Sequence, residues 1–345
     1  MNKEMNAIGF DQHLPIDNPD SFKTIKKTIP DPKGHELLVK VNGISVNPVD
    51  IFSRRSGGKG KLKHPKIIGW DAVGTVVKAG SDVSLFHHDD RVWYAGDITK
   101  DGSDEPYQII DERIVGSAPR SLEDSQAAAV PLVSLTAYEA LFEKLPIQID
   151  NQEENKHHTI LIINGAGGVG SMAVQLAHLA GLKVIATASN EKSIQWVRRN
   201  GADEVVNHHQ DLVSQVRKLG HHFVDYALNL NNLDAHWDEL AELIRPDGWI
   251  AATTENRHLI DLQKLTKKRA TFTWEWMYTK AYYQTKDMIT QHQILDKISE
   301  LYDQKKLLPI MRKHYSPINI DNLKKAHADI ETGHTIGKIT LTKWE

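Results

Sequence analysis

The apolar positions of this chain follow two rhythms. Up to about residue 130 they fall in short, β-rich runs at 7–10, 36–44, 72–77, 90–94 and 107–111, separated by clusters of Gly, Pro, Asp and Ser. Few helical periods interrupt them, so this stretch predicts a compact, mostly β domain. Ser121 and Asp124 have the spacing of a capping box, which predicts a short helix through Ala129 that Pro131 ends. From Leu132 to about Trp276 strands and helices alternate. Strands are predicted at 159–164, 183–187, 204–207, 223–228 and 249–253, with helices from Val169 to a stop at Gly181 and near 193–200, 212–219 and 233–244. Alternation of this kind implies a parallel sheet wrapped on both faces by right-handed crossovers. Phe272, Trp274, Trp276 and Tyr278 occupy alternate positions and predict one aromatic strand face, for packing or a subunit contact ahead of a substrate wall. Residues 286–304 and 323–330 read as amphipathic helices, and 337–342 as a closing strand.

The chain is organised around residues 159–189. A short apolar strand runs into Gly165, Gly167 and Gly170, spaced G-x-G-x-x-G. A helix comes next with Val169, Met172, Ala173, Leu176 and Leu179 on one face, and then a second strand. This is the βαβ context that the dinucleotide fingerprint requires. The first glycine permits a tight turn, the second a close backbone approach to a pyrophosphate, and the third close packing of helix on sheet. Gly168 and Val169 lie at the helix N-terminus, whose N–H groups and dipole favour the anion. Folds that take NAD place Asp or Glu at the end of the second strand. Here that strand runs into Ser189 and Asn190, with Glu191 the first acid and Lys192, Arg198 and Arg199 after it. Small hydroxyl and amide groups beside cations suit a 2′-phosphate, which favours NADPH over NADH. The competing reading makes Ser189 a helix cap and the cations a solvated face.

Composition narrows the rest. The 345 residues suffice for about two domains, and 40% hydrophobic with 25% charged residues is ordinary for a soluble globular chain. A net charge of −3 gives no general attraction to nucleic acid or to anionic membrane. The N-terminal MNKEMNAIGFDQH lacks the apolar core of a signal peptide, and no run approaches a membrane span. A cytoplasmic protein is expected. Zero cysteines remove disulfides, thiolate nucleophiles and every Cys-based zinc site. The 18 histidines include the adjacent pairs His87-His88, His157-His158, His208-His209 and His221-His222, and sequence neighbours share no face on a helix or strand.

Several motifs then act in combination: Val46-Asn47-Pro48-Val49-Asp50, Ile68-Gly69-Trp70-Asp71-Ala72-Val73-Gly74, Asp90-Arg91-Val92, Ala129-Val130-Pro131-Leu132 and Thr136-Ala137-Tyr138. Gly201-Ala202-Asp203 and Gly337-Lys338-Ile339 complete the set. With the glycine motif they make the chain resemble the medium-chain dehydrogenase/reductase superfamily over nearly its whole length. The likeness is to the quinone oxidoreductase branch and, within it, to the zinc-type alcohol dehydrogenase-like proteins, which Trp274-Glu275-Trp276-Met277-Tyr278 also fits. The resemblance implies an α/β protein: a doubly wound Rossmann sheet at 132–278, and a GroES-like, mostly β catalytic domain at 1–131 to which 279–345 return. Zinc-dependent members carry Cys at the position of Asn47, Gly-His-Glu at Gly69-Trp70-Asp71, and a third ligand, Cys, at Leu132. An amide, an indole and an isobutyl group form no tetrahedral zinc site, and one carboxylate does not hold the ion. No metal ligand is therefore expected.

Without a Lewis acid, alcohol oxidation loses the group that acidifies the hydroxyl, whereas hydride transfer to a conjugated carbonyl needs less help. The expected activity is NADPH-dependent reduction of a quinone or an α,β-unsaturated carbonyl. Asn47 is the first candidate to line the nicotinamide or polarise the acceptor, against an ordinary turn before Pro48. The resemblance places Thr136 and Lys338 beside the cofactor. Tyr138 is a candidate proton donor, with core packing the stronger reading, and Asp50 either orients Asn47 or caps a helix. The expected partners are a small molecule and a second copy of the chain. Two rivals stay open: a zinc alcohol dehydrogenase, and a non-enzymatic NADPH-binding sensor or RNA-binding protein, for which residues 264–269 (KLTKKR) are the only short basic cluster.

Overall fold

Five consecutive residues with no exposed side, Thr159–Ile163, can only form the middle strand of a sheet covered on both faces. In the computed structural model, which describes residues 3–345, that strand lies within a six-stranded parallel sheet. The chain divides into two units. One holds the residues up to Leu135 together with Tyr278–Glu345, and the other holds Thr136–Met277.

In the second unit the strands lie in the order Glu204–Val206, Lys183–Thr187, Thr159–Ile163, Val224–Asn229, Ile244–Ala252 and Thr271–Trp274. The order reverses between Thr159–Ile163 and Val224–Asn229, so right-handed crossovers put helices on both faces, the doubly wound arrangement. Helix Gly168–Leu179 is buried from Gly170 to Ala177. Below the sheet, Leu161, Ile163, Val224, Leu240, Ile250 and Trp237 form one apolar cluster, with Phe272 packed against it. Each fully buried side chain of this size stabilises by about 1.5–3 kcal/mol.

In the first unit, seven strands form a largely antiparallel sheet: Met311–Tyr315, Lys338–Thr342, Glu36–Val46, Ala72–Ala79, Arg91–Tyr94 and Val115–Ser117 in order, with Tyr107–Asp111 also pairing Glu36–Val46. Glu4–Gly9 and Lys23–Thr28 make a separate hairpin pair. Asp90-Arg91-Val92 has a structural task here. The Arg91 guanidinium donates to Asp124 and to the carbonyls of Pro119 and Leu122, at 2.7–3.0 Å, and so pins the loop before helix Asp124–Ala127.

The α/β architecture is the one expected, and four local expectations need correction. Ser121 caps nothing: its amide donates to Asp303, and Glu123 is the N-cap of helix Asp124–Ala127. Pro131 does not end that helix but opens the next, Pro131–Glu139, since a proline at the first helical position loses no hydrogen bond. The aromatic strand is short. Thr271–Trp274 ends before Trp276 and Tyr278, and Tyr278 lies in the other unit, buried. The helix expected over 286–304 begins only at Thr290. Helix Pro48–Arg55 and strand Lys23–Thr28 are elements that the hydrophobic pattern does not announce.

Candidate functional site

The glycine turn is built by the end of the central strand. Asn164 follows Ile163 with φ of 63° and turns the chain toward the helix. Its amide donates to Thr187 Oγ1 at 2.8 Å, and the Gly165 amide donates to the Thr187 carbonyl at 3.1 Å, so the turn is tied to the second strand. Gly167 is the N-cap of helix Gly168–Leu179. Gly170 is dictated by space, because a Cβ there would lie 2.1 Å from the Asn164 carbonyl oxygen. The first-turn amides of Gly168, Val169 and Gly170 have no acceptor one turn back, and the dipole adds to their positive end. The turn therefore fits a diphosphate.

At the end of strand Lys183–Thr187 the side chains divide by task. Asn190, not Ser189, caps helix Glu191–Arg199, its Oδ1 accepting from the Ser193 amide at 3.0 Å. The Ser189 hydroxyl is half-buried and makes no hydrogen bond among the described residues, and Lys192 is exposed. Glu191 is engaged by Gln195 Nε2 at 2.7 Å. At the point where the strand order reverses, Asn229 is fully buried with its Oδ1 unpartnered, an acceptor that sequence patterning did not single out. Thr136 is buried on helix Pro131–Glu139. Tyr138 is half-buried, its ring edge-on to Phe142 at 4.8 Å; burial first, then Asp150 and Glu143, push its phenol above the usual value.

The first unit gathers Asn47, Asp71 and Lys338 into one buried network. Gly69, two residues before Asp71, lies close against Ser103 and Asp104: its φ of 108° is a left-handed conformation, and a Cβ would meet Ser103 Oγ at 2.6 Å and Asp104 Oδ1 at 2.8 Å. Asp71 Oδ2 accepts from Ser45 Oγ at 2.7 Å, Asn47 Nδ2 at 2.9 Å and Lys338 Nζ at 3.0 Å, while Oδ1 accepts from the Leu132 amide at 2.8 Å. Lys338 Nζ also donates to Asn47 Oδ1 and, at 3.3 Å, to the Val46 carbonyl. Asn47 Nδ2 further donates to the Trp70 carbonyl at 3.3 Å. Every polar atom of the Asn47 amide and every N–H of the Lys338 ammonium thus has a partner within this unit.

Asp50 completes the network. It stands in the first turn of helix Pro48–Arg55, where Asn47 is the N-cap, and its Oδ2 accepts from the Asn47 amide at 2.6 Å. Its Oδ1 is buried without a partner. Burial pushes this carboxyl up to about 7 and the charge of Asp71 adds to the shift, against the pull of the Asn47 amide and the Lys338 charge. Tyr278, buried on the same unit, has its ring 6.2 Å from Trp70, nearly edge-on; burial and the charges of Asp50 and Asp71 hold its phenol well above the usual range.

Two family models match this chain. The alcohol dehydrogenase GroES-like domain covers residues 33–117 and the zinc-binding dehydrogenase model covers 168–291. A zinc-type alcohol dehydrogenase-like protein of Staphylococcus epidermidis is 41% identical over 337 residues, spanning 98% of this chain and 99% of that protein. The chain belongs to the medium-chain dehydrogenase/reductase superfamily. A crystal structure of a Rhizobium etli CFN 42 protein, assigned there as a zinc-dependent alcohol dehydrogenase, superposes with a TM-score of 0.94 at 37% identity over the whole of both chains. Escherichia coli quinone oxidoreductase, solved with NADPH, shares the fold at a TM-score of 0.79 and 22% identity, over 98% of this chain and 99% of that one.

Zinc appears in those names, yet the side chains here do not fit it. Asp71, the one carboxylate at a ligand position, already accepts four donors, about as many as its lone pairs allow. Leu132 presents an amide N–H, to Asp71 Oδ1, where a thiolate would be needed, and Lys338 brings a positive charge onto Asp71 Oδ2. Three of the four cations in the basic run at 264–269 are engaged. Lys264 pairs with Asp238 and Arg269 with Asp247, and Lys268 Nζ donates to the carbonyls of Ala241, Glu242 and Ile244, at the end of helix Leu233–Leu243. No helix among the described residues is long and apolar enough to cross a membrane.

Proposed function

We propose that this superfamily member is a zinc-independent, NADPH-dependent reductase that delivers a hydride to a quinone or an α,β-unsaturated carbonyl. The observation that carries the reading is the saturated Asp71: its four donors leave no ligand for a metal that could acidify an alcohol. A conjugated acceptor is already electrophilic and needs no such ion. When bound, the reduced nicotinamide supplies the hydride. The turn at Gly165, Gly167, Gly168, Val169 and Gly170 would hold the diphosphate on backbone N–H groups, and Ser189, Asn190 and Lys192 would take the 2′-phosphate by hydrogen bonds and charge. Thr136 is the proposed hydroxyl contact to the nucleotide.

Because the donors and acceptors of Asn47 and Lys338 are taken up inside their own unit, we assign both to shaping the acceptor pocket and not to gripping the cofactor. Tyr138 is the candidate proton donor, with core packing against Phe142 the stronger reading. Trp274, exposed on the terminal strand Thr271–Trp274, supports a homodimer formed through that edge. The test monitors loss of reduced-nicotinamide absorbance with a panel of quinones, enones and simple alcohols, in protein treated with a chelator. NADPH consumption with quinones or enones and none with alcohol substrates is expected. Alcohol oxidation that disappears with the chelator would sink the reading.

A further inference from the structure

The buried network in the first unit holds one cation, the Lys338 ammonium, whose side chain is 4% exposed, against the fully buried Asp71. Its three N–H groups point at three oxygens: Asn47 Oδ1, Asp71 Oδ2 and the Val46 carbonyl. Ser45 Oγ also hydrogen-bonds Asp71 Oδ2, at 2.7 Å. Nearby, Asp50 keeps one carboxyl oxygen buried without a partner, though both the Lys338 and the Asp71 charges act on it. A carboxylate, an amide and a carbonyl oxygen around a buried positive charge are the ligand types of a hard cation, with the ammonium standing where the ion would be.

We propose that Lys338 is a built-in cation, and that the oxygens of Asn47, Asp71 and Val46 form a divalent-cation site which its ammonium keeps closed. The native chain balances this pocket with its own charge and takes up no ion there. Once the ammonium is removed, the buried Asp71 charge keeps only the neutral donors Ser45 Oγ, Asn47 Nδ2 and the Leu132 amide, with no positive charge to balance it. Leaving a buried charge unpaired is strongly unfavourable, so a divalent ion that prefers oxygen ligands should enter. Soft, thiolate-seeking zinc should gain least, since the pocket offers no sulfur or imidazole. The proposal is independent of the acceptor that the enzyme reduces.

The experiment compares the full-length native chain, Lys338→Ala and Lys338→Ala/Asp71→Asn. Each is measured for its thermal unfolding midpoint with and without Mn²⁺, Mg²⁺, Ca²⁺ or Zn²⁺, and for Mn²⁺ binding by electron paramagnetic resonance. The native midpoint should not move with any ion. Lys338→Ala should rise by about 5 °C or more at saturating Mn²⁺ and bind one ion per chain, and the double variant should lose both effects. If Lys338→Ala does not fold alone, refolding in Mn²⁺ reads the same property: recovery supports the proposal and no recovery overturns it. Stoichiometric metal in the native chain that Asp71→Asn abolishes also overturns it, as does a folded Lys338→Ala that no ion stabilises. None of these readouts involves turnover, so a failure here is distinguishable from a failure of the reductase reading.

Discussion

The Lys338 ammonium lies 3.0 Å from Asp71 Oδ2, and both side chains are shut away from water. An ion pair of this kind owes its standing to its partners more than to net attraction, since desolvation offsets much of the Coulomb gain. Breaking it from one side should therefore be costly and removing both charges should not. We expect Lys338→Met and Asp71→Asn each to lower stability by about 3–5 kcal/mol. The double substitution should recover at least half of the Lys338→Met loss, as read from denaturant unfolding midpoints. Simple additivity of the two losses would mean that the residues do not act on each other.

Asp50 gives the unit a pH dependence of definite sign. Its carboxyl is pushed up to about 7 in the folded chain, mainly by burial, and returns to the ordinary range of about 3.9 when unfolded. Between these values the folded state holds the extra proton, so stability falls as pH rises from about 4 to 7 and then levels off. Asp50→Asn keeps an oxygen for the Asn47 amide and cannot ionise. The stability of Asp50→Asn relative to the native chain should therefore improve by up to about 4 kcal/mol on going from pH 4 to pH 8. A difference that stays flat across this range would remove Asp50 from the titrating groups.

The nucleotide half of the candidate site was legible because its signals are local. Gly165 to Gly170, the flanking strands and the stop at Gly181 all sit within one βαβ unit, and strand bounds such as 183–187 and 107–111 are set by turn punctuation. The polar network was only half legible. The resemblance pointed to Asn47 and Asp71, but Lys338 reaches them across 291 and 267 residues, a distance that no periodicity bridges. Helix Pro48–Arg55 stayed hidden for a different reason: its polarity is inverted. Asp50 and Arg54 face inward, Arg54 onto the Leu14 carbonyl, His327 and Glu331, while Phe52 is 66% exposed. Pro131 misled because proline both ends helices and begins them, and the residues after it decide between the two. The alternation from Phe272 to Tyr278 ran past the end of its strand, since pattern alone does not reveal where sheet pairing stops.

Gly170 should tolerate no side chain. Its Cβ would be driven against the Asn164 carbonyl, the atom from which the turn departs, so the helix N-terminus would have to shift away from the strand. Gly170→Ala should weaken NADPH binding at least tenfold, about 1.4 kcal/mol, by fluorescence titration. Unchanged affinity would show that the diphosphate does not rest on this turn.

Choice between the two nicotinamide nucleotides should depend on Ser189 and Lys192. The Ser189 hydroxyl makes no hydrogen bond within the described chain and Lys192 is exposed, so both are available to a phosphate. Ser189→Asp puts a carboxylate where the 2′-phosphate would lie and offers an acceptor for a ribose diol. The ratio of kcat/KM for NADPH to that for NADH should fall at least about 100-fold in Ser189→Asp, and about tenfold in Lys192→Ala, each tenfold step being about 1.4 kcal/mol. A ratio unmoved by either change would place the 2′ position elsewhere.

Thr271–Trp274 is the last strand of its sheet and, among the described residues, pairs only on the side of Ile244–Ala252. Its other edge leaves ladder donors and acceptors open, and Trp274 stands 43% exposed beside them. Phe272 faces the core against Trp237 at 5.4 Å, so the strand is held firmly enough to serve as a template. Natural sheets blunt such an edge with proline, lysine or a bulge, or they cover it, and this one carries Thr, Phe, Thr and Trp. A second copy laid along it would satisfy the open backbone groups and bury the indole. Trp274→Pro removes an edge-facing donor, because the neighbouring Glu275 amide donates inward to the Ala252 carbonyl, and Trp274→Lys adds a charge at the edge; neither enters the phosphate-binding turn. Both should convert a dimer to a monomer in analytical ultracentrifugation, with NADPH affinity changed less than about threefold, which is under 1 kcal/mol. A native chain that sediments as a monomer at all concentrations, or variants that stay dimeric, would remove this edge from the assembly.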